Sequence, residues 1–414
     1  MLTRIQKTYR EFPLQFRVLV GAAFIDRVGG TMLFPFFALY VTEKFNVGMT
    51  EAGLLLGIFS LAGLVGGMVG GVLADKFGRR GLVIFGLIFS ALGSVAMGFV
   101  TSLTAFYALA VVVGFLGEIA GPAHGAMVAD MLPEEQRSEG YGVLRIVGNL
   151  AWIIGPTIGG LLALHSYTLL FITDAITSLV TAAIVYRLIP ETKPVPAEHA
   201  QGESLLQTVV GYREVARDRL YMAFLVTSML MLVVYQQMYS TLSVYLRDVH
   251  GVPARGYGLL MSIDAALVVV AQFPVARRVK HYPPMLMMAL GTVFYMVGFT
   301  MYGFVSTYAL FIAAILLITV GEMIVMPVGQ ALAARFAPEA MRGRYMAFFG
   351  FSWAVPGMVS AWAAGVIMDN YNPNWVWYLC GIICAVAVLG FYGLYLSTRT
   401  RFAAAPAAVE PAQA

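Results

Sequence analysis

Gly71-Val72-Leu73-Ala74-Asp75-Lys76-Phe77-Gly78-Arg79-Arg80 is a charged interruption between two long apolar stretches, residues 52 to 74 and 81 to 100. Asp75 falls where the first stretch would end as a helix, at the terminus whose dipole favours cations. Lys76, Arg79 and Arg80 follow it directly in sequence. Gly78 permits a tight turn that returns the two arginines toward the helix ends. Two apolar helices, each of the roughly 20 residues needed to cross a bilayer and joined by a short basic loop, read as a pair of membrane crossings. The basic loop marks its side as cytoplasmic.

The rest of the chain repeats this pattern. Of 414 residues, 60% are apolar and 12% charged, too few polar groups to clothe a water-soluble surface. Twelve stretches are long enough to cross, near residues 17–41, 52–74, 81–100, 104–131, 141–164, 167–188, 219–246, 256–276, 284–305, 307–334, 345–368 and 374–396. The first carries Asp26 and Arg27 and lacks a small-residue cleavage site, so it is expected to remain in the mature protein. Of the 26 Lys and Arg, 21 lie at the amino terminus, after even-numbered spans or in the C-terminal tail, which places both termini in the cytoplasm of a cell with an inner membrane. The clusters Lys76, Arg79, Arg80 and Arg277, Arg278, Lys280 are orientation signals of this kind rather than a nucleic-acid surface. Cys380 and Cys384, one turn apart in the last span, suit packing better than a disulfide, and no metal site is expected.

Sliding the chain on itself by 205 residues places Tyr40 on Tyr245, Gly53-Leu54-Leu55 on Gly258-Leu259-Leu260, Pro122 on Pro327, Pro133 on Pro338, Arg137 on Arg342 and Gly160 on Gly365. A duplicated six-helix unit leaves such a trace, and transporters built from repeats bind substrate near mid-membrane where the repeats meet. The expected organisation is a six-helix bundle over 1–188, a cytoplasmic linker over 189–218, a second six-helix bundle over 219–396 and a cytoplasmic tail over 397–414. The linker opens with the breaker-rich Pro190-Glu191-Thr192-Lys193-Pro194-Val195-Pro196, and the tail is rich in Ala and Pro.

A charge at the bilayer centre costs about 2.5 to 3.5 kcal/mol on insertion scales, so each one needs a partner, water or a function. Asp26, Arg27, Glu118 and Glu322 fall at mid-membrane depth, Asp264 in the outer part of the eighth span, and Asp174 near enough to the outer start of the sixth to be solvated. Adjacent side chains on a helix diverge, so Arg27 needs a carboxylate from another helix, for which Glu118 is the candidate, or a water-filled cavity. A carboxylate balanced between desolvation and a nearby cation can load and release a proton as water access changes. Glu322, with no obvious basic partner in its own span, is the first candidate carrier; a permanent ion pair is the competing reading for Asp26 and Arg27. His124, Asn149, Tyr235, Gln236 and Gln237 could line a substrate cavity, with interhelical hydrogen bonding as the alternative.

The loop from Gly71 to Arg80 closely resembles the signature loop of the major facilitator superfamily. The resemblance implies the two-bundle, twelve-helix fold and a cytoplasmic latch of Gly71, Asp75, Gly78, Arg79 and Arg80. Asp130, at the inner end of the fourth span, matches the acidic position that pairs with Arg79 in that family. Ala151-Trp152-Ile153-Ile154-Gly155-Pro156-Thr157-Ile158-Gly159-Gly160 is similar to the fifth-span motif of the drug/proton antiporter branch, with Ala151 replacing its first Gly; Gly155, Pro156, Gly159 and Gly160 serve helix packing. The fourth span departs from that branch, having Val112-Val113-Gly114-Phe115-Leu116-Gly117-Glu118 where an intramembrane Arg is usual.

The expectation is therefore a proton-coupled secondary transporter, monomeric, using the proton gradient and no cofactor, that exports lipophilic or cationic small molecules by alternating access. A nutrient or metabolite symporter, or a lipid flippase, of the same fold is the rival, and a receptor or scaffold without transport is the alternative from another class. No Gly-rich phosphate loop or catalytic constellation is present, which argues against an ATP-driven pump or an enzyme.

Overall fold

A computed structural model describes residues 12–192, 213–338 and 341–398. Among them are twelve apolar spans of membrane-crossing length: Leu14–Phe45, Met49–Gly71, Arg79–Phe99, Leu103–Met131, Glu139–Ala163, Tyr167–Leu188, Arg219–Gln236, Ala254–Val279, Pro284–Met301, Tyr308–Phe336, Arg344–Asn370 and Asn374–Thr398. The described residues contain no strand. Most of the expected linker and nearly all of the expected tail lie outside the described residues. The side on which the first span begins is called proximal here, and the opposite side distal.

Three spans are broken, and two of the breaks follow from proline. The first runs as Leu14–Leu33, a 3-10 turn over Phe34–Phe36 and a second helix Phe37–Phe45, because Pro35 has no N–H for the carbonyl of Thr31. The fourth divides into Leu103–Glu118 and Ala120–Met131, where Pro122 cannot donate to the carbonyl of Glu118. The seventh, expected as one helix, is Arg219–Gln236 followed by a turn and Thr241–His250. Shifted by 205 residues, Pro35 falls on Ser240, so the first and seventh spans break at equivalent places.

Packing follows the repeat as well. The first span packs on the fifth and sixth, the second on the fourth, and the third on the fourth and sixth. Likewise the seventh packs on the twelfth, and the ninth on the tenth and twelfth. Contacts group the chain into one compact unit of residues up to 201 with 237–266 and 357–373, and another of 202–236, 267–356 and 374 onward. This grouping differs from the sequence halves, because the distal ends of the seventh, eighth and eleventh spans pack within the first unit.

The physical reason is a set of small residues at the contact points. A side chain on Gly53 would collide with the carbonyl of Ala361, and one on Gly258 with the carbonyl of Pro156. A side chain on Gly160 would press on the backbone of Arg255, and one on Gly365 on the backbone of Met49 and Thr50. Close backbone approach of this kind is how helices associate where no water is displaced. The fifth span uses a second face, formed by Ala151, Gly155 and Gly159, against Thr31 and Met32 of the first; Thr31 Oγ1 donates to the carbonyl of Ala151 at 3.0 Å.

Candidate functional site: a polar cavity in the first bundle

A cavity of about 620 Å³ opens between the first, third, fourth, fifth and sixth spans, walled by Asp26, Arg27, Glu118, His124, Trp152 and Ser90 among others. Local structure explains how charge reaches it. Asp26 and Arg27 sit mid-helix in the first span, and Gly148 of the fifth leaves room for the Arg27 guanidinium, whose Nη1 would lie 3.6 Å from a Cβ there. Glu118 occupies the last turn before the break in the fourth span, beside Gly63 of the second and Gly121 of its own. His124 lies in the second helix of the fourth span, Ala120–Met131, two residues after Pro122. Discontinuous spans often place functional groups at mid-membrane in transporters.

The expected ion pair between Arg27 and Glu118 is not made: no carboxylate lies within 4.0 Å of the Arg27 nitrogens among the described residues. Both side chains face the same cavity instead, so water or a bound molecule can stand between them. Asp26 is held from behind, accepting a hydrogen bond from Ser178 Oγ at 2.9 Å. The wall thus brings together two carboxyl groups, one guanidinium and one imidazole. Toward its distal end Phe34 and Trp152 line the wall, Phe34 edge-on to Trp152 at 6.5 Å, and Tyr239 packs behind them with its centroid 5.0 Å from that of Trp152.

The other sequence candidates fall elsewhere. Asn149 is half-buried in the fifth span and does not line the cavity. Asp264 is buried in the eighth span, also outside the cavity wall. Tyr235 is buried in the second unit, stacked on Tyr295 with centroids 5.6 Å apart, and Gln236 follows it there, half-buried. Gln237 is buried in the first unit, donating to the carbonyl of Ser360 and accepting from Thr241 Oγ1. Glu322 is half-buried in the tenth span, in the second unit. Asp174 corrects the expectation of a solvated carboxylate: it is 7% exposed and accepts from Ser94 Oγ, because the third and sixth spans pack tightly around it.

At the proximal loop, Arg79 Nε and Asp130 Oδ2 lie 3.2 Å apart, with side chains 12% and 18% exposed. The side chain of Asp75 lies outside the described residues; Gly71 is half-buried in the second span, and a Cβ there would meet nothing within 4 Å. Gly78 holds φ at 95°, a conformation costly for other residues, and a Cβ there would also stand 2.7 Å from Glu191 Oε2. Sequence reasoning missed Glu191. Its carboxylate accepts from the backbone N–H of Arg79 at 2.8 Å and of Arg80 at 3.2 Å, capping the third span where the helix dipole favours an anion. The Arg80 guanidinium donates to the carbonyl of Tyr186 and lies over its ring, 5.2 Å from the centroid. Glu191 follows the sixth span, far along the chain from the loop it caps, and so gave no local signal.

Comparison with known proteins agrees with this architecture. Residues 19–360, and again 251–414, match the family model described as Major Facilitator Superfamily. The uncharacterized MFS-type transporter YttB of Bacillus subtilis (strain 168) is 26% identical over 365 residues, covering 87% of this chain and 90% of that protein. The Na(+), Li(+), K(+)/H(+) antiporter of Planococcus maritimus is 25% identical over 371 residues, covering 83% and 86%. The multidrug resistance protein MdtH of Escherichia coli (strain SMS-3-5 / SECEC) is 24% identical over 382 residues, covering 90% and 92%. Among solved structures, a point mutant of the nucleoside transporter NupG superimposes with a TM-score of 0.80 at 14% identity, covering 92% of this chain and 100% of that one, which speaks to fold alone. With twelve spans, a 205-residue repeat and a family match along nearly its whole length, the chain belongs to the major facilitator superfamily of membrane transporters.

Proposed function

We propose that the protein is a proton-coupled efflux antiporter of the inner membrane, both termini cytoplasmic, that exchanges protons for lipophilic cationic small molecules through alternating access. The observation that supports this reading best is the cavity itself: two carboxyl groups, Asp26 and Glu118, share one wall with the Arg27 guanidinium, which makes no ion pair among the described residues, and with the rings of Phe34 and Trp152. With both carboxyls ionised and one guanidinium between them the wall would carry an excess negative charge, which a proton or an organic cation can meet, and the rings suit the apolar and cationic parts of such a molecule. Competition between proton and cation for one site is the physical basis of antiport. Two relatives carry names that accord with this reading, a multidrug resistance protein and a Na(+), Li(+), K(+)/H(+) antiporter.

The same charge balance would serve a small inorganic cation, the substrate named for the Planococcus relative. The two readings separate in proteoliposomes with an imposed pH gradient. Ethidium and related dyes should move against the proton flow, with at least about a tenfold loss in Asp26→Asn and Glu118→Gln, as expected when a charge partner worth about 1.4 kcal/mol or more is removed. Glu322→Gln is measured beside them as the second-bundle carrier. Movement of Na⁺ or K⁺ without dye would replace the drug reading with the alkali-cation one. Dye flux indifferent to the pH gradient would remove proton coupling.

A further inference from the structure

We propose that Asp26 and Asp174 form one proton-holding unit, a pair of carboxyl groups in the seam between the first and sixth spans that shares a single proton. This deepens the antiport reading and rests on it for its role in transport. The sixth span presents Asp174, Ser178 and Thr181 on one face, at the four- and three-residue spacing that stacks side chains. The first span presents Ala22, Asp26 and Gly29 at the same spacing, running the other way. The two faces meet turn by turn. Thr181 Oγ1 donates to the carbonyl of Ala22 at 3.1 Å, Ser178 Oγ donates to Asp26 Oδ1 at 2.9 Å, and Asp174 Oδ1 would stand 3.1 Å from a Cβ on Gly29. The carboxyl groups are therefore about one helical turn apart, on the order of 5 Å.

Every group facing the pair bears on its charge. Asp174 accepts from Ser94 of the third span. Toward the distal side Tyr40 packs on Phe171 with centroids 4.5 Å apart, and Lys44 donates to the Tyr40 hydroxyl and the carbonyl of Gly98 rather than to Asp174. On the cavity side stand Arg27 on the first span and Glu118 and His124 on the fourth, and the fifth adds Trp152. No cation lies within 4.0 Å of either aspartate among the described residues. Two carboxylates this close, one of them buried and neither with a paired cation, repel each other strongly enough to hold one proton between them, which leaves the pair at a single negative charge beside Arg27 of the first span. Transfer from Asp26 to Asp174 breaks one O–H bond and makes another, with no change in the charge of the pair. It frees Asp26 on the cavity wall for a cation without returning the proton to water.

The test is pH-titrated infrared difference spectroscopy of the full chain in lipid nanodiscs, following the C=O band of protonated carboxyls. The parent should lose two carboxyl protons in two separated steps that belong to the pair. Asp174→Asn and Asp26→Asn should each leave one step, displaced by at least about one pH unit from both parental ones. Asp174→Glu should keep two steps. A variant in which the surviving aspartate titrates at a parental midpoint overturns the pair, and Asp26→Asn, on the cavity wall, carries the same test if Asp174→Asn fails to fold. Dye transport in the same preparation separates the two ideas. Inactive parent protein with two coupled steps sinks antiport alone, while active parent protein with independent steps sinks the pair alone.

Discussion

Thr42 and Arg247 stand 205 residues apart in sequence and touch, Arg247 Nη1 donating to Thr42 Oγ1 at 3.0 Å. A residue can meet its own counterpart only on a symmetry axis, so this contact lies on the internal two-fold of the repeat, at the distal side. Arg247 also pairs with Asp248 at 2.6 Å, which holds the guanidinium for Thr42. Thr42→Val removes the acceptor and keeps the shape. A hydrogen bond to a charged group contributes about 1.5 to 3 kcal/mol when buried, and half-exposed Arg247 should give less, so distal opening should rise about three- to tenfold. The measurement is the labelling rate of Ser90→Cys in the cavity by a membrane-impermeant thiol reagent from the distal side, in a background without Cys380 and Cys384.

Asp369 joins the second and eleventh spans on the same side. Its carboxylate accepts from the backbone N–H of Met49 at 2.9 Å and of Thr50 at 2.7 Å, and from Thr50 Oγ1 at 2.5 Å. It thus caps the second span from the end of the eleventh. Loss of a cap costs about 1 kcal/mol, and the helix dipole adds to it. Asp369→Asn should raise distal labelling of Ser90→Cys about five- to tenfold, with Asp369→Glu in between; unchanged labelling in both would show the cap does not hold this side closed.

Gly53→Leu and Gly258→Leu should act alike, since each forces a side chain into a backbone carbonyl of the other repeat, that of Ala361 or of Pro156. Both should label rapidly from the distal side. Gly350→Leu, where nothing lies within 4 Å, is the control and should label as the parent does.

At the proximal loop, Glu191→Gln should lower thermal stability in detergent by the equivalent of about 1 kcal/mol, the usual value of a helix cap. Gly78→Ala should cost about 1 kcal/mol or more from its left-handed backbone. Because the added Cβ strikes Glu191 Oε2, the double variant should lose less than the sum of the two. Strict additivity in melting experiments would show that the two residues do not act together.

The spans were legible because each is a run of apolar residues of bilayer length, and the repeat because Gly and Pro positions survive where backbone geometry demands them. Asp26, Arg27, Glu118 and His124 were legible as intramembrane polar groups, and the structure brings these four to one cavity. The partnership proposed between Arg27 and Glu118 failed because depth along a helix fixes height and leaves azimuth and separation open. Asp174 was misjudged for the same reason: its distance from the start of the sixth span suggested water, whereas the third span covers it with Ser94. Glu191 and Asp369 escaped notice because each lies at a span end, where charge is ordinary, and acts on a helix remote in sequence.

The paired contacts of Gly53 with Ala361 and Gly258 with Pro156 have the pattern of a closed homodimer, in which patch i meets patch j and j meets i. A six-helix ancestor would have made both from one sequence as two separate chains. Covalent fusion then let each copy change alone. Asp369 on Thr50 is the record of that freedom: 205 residues away in either direction stand Leu164 and Arg255, which cannot repeat the bond. The symmetric contacts are those one sequence could make with its own copy, and the unmatched ones are those that need the two halves to differ.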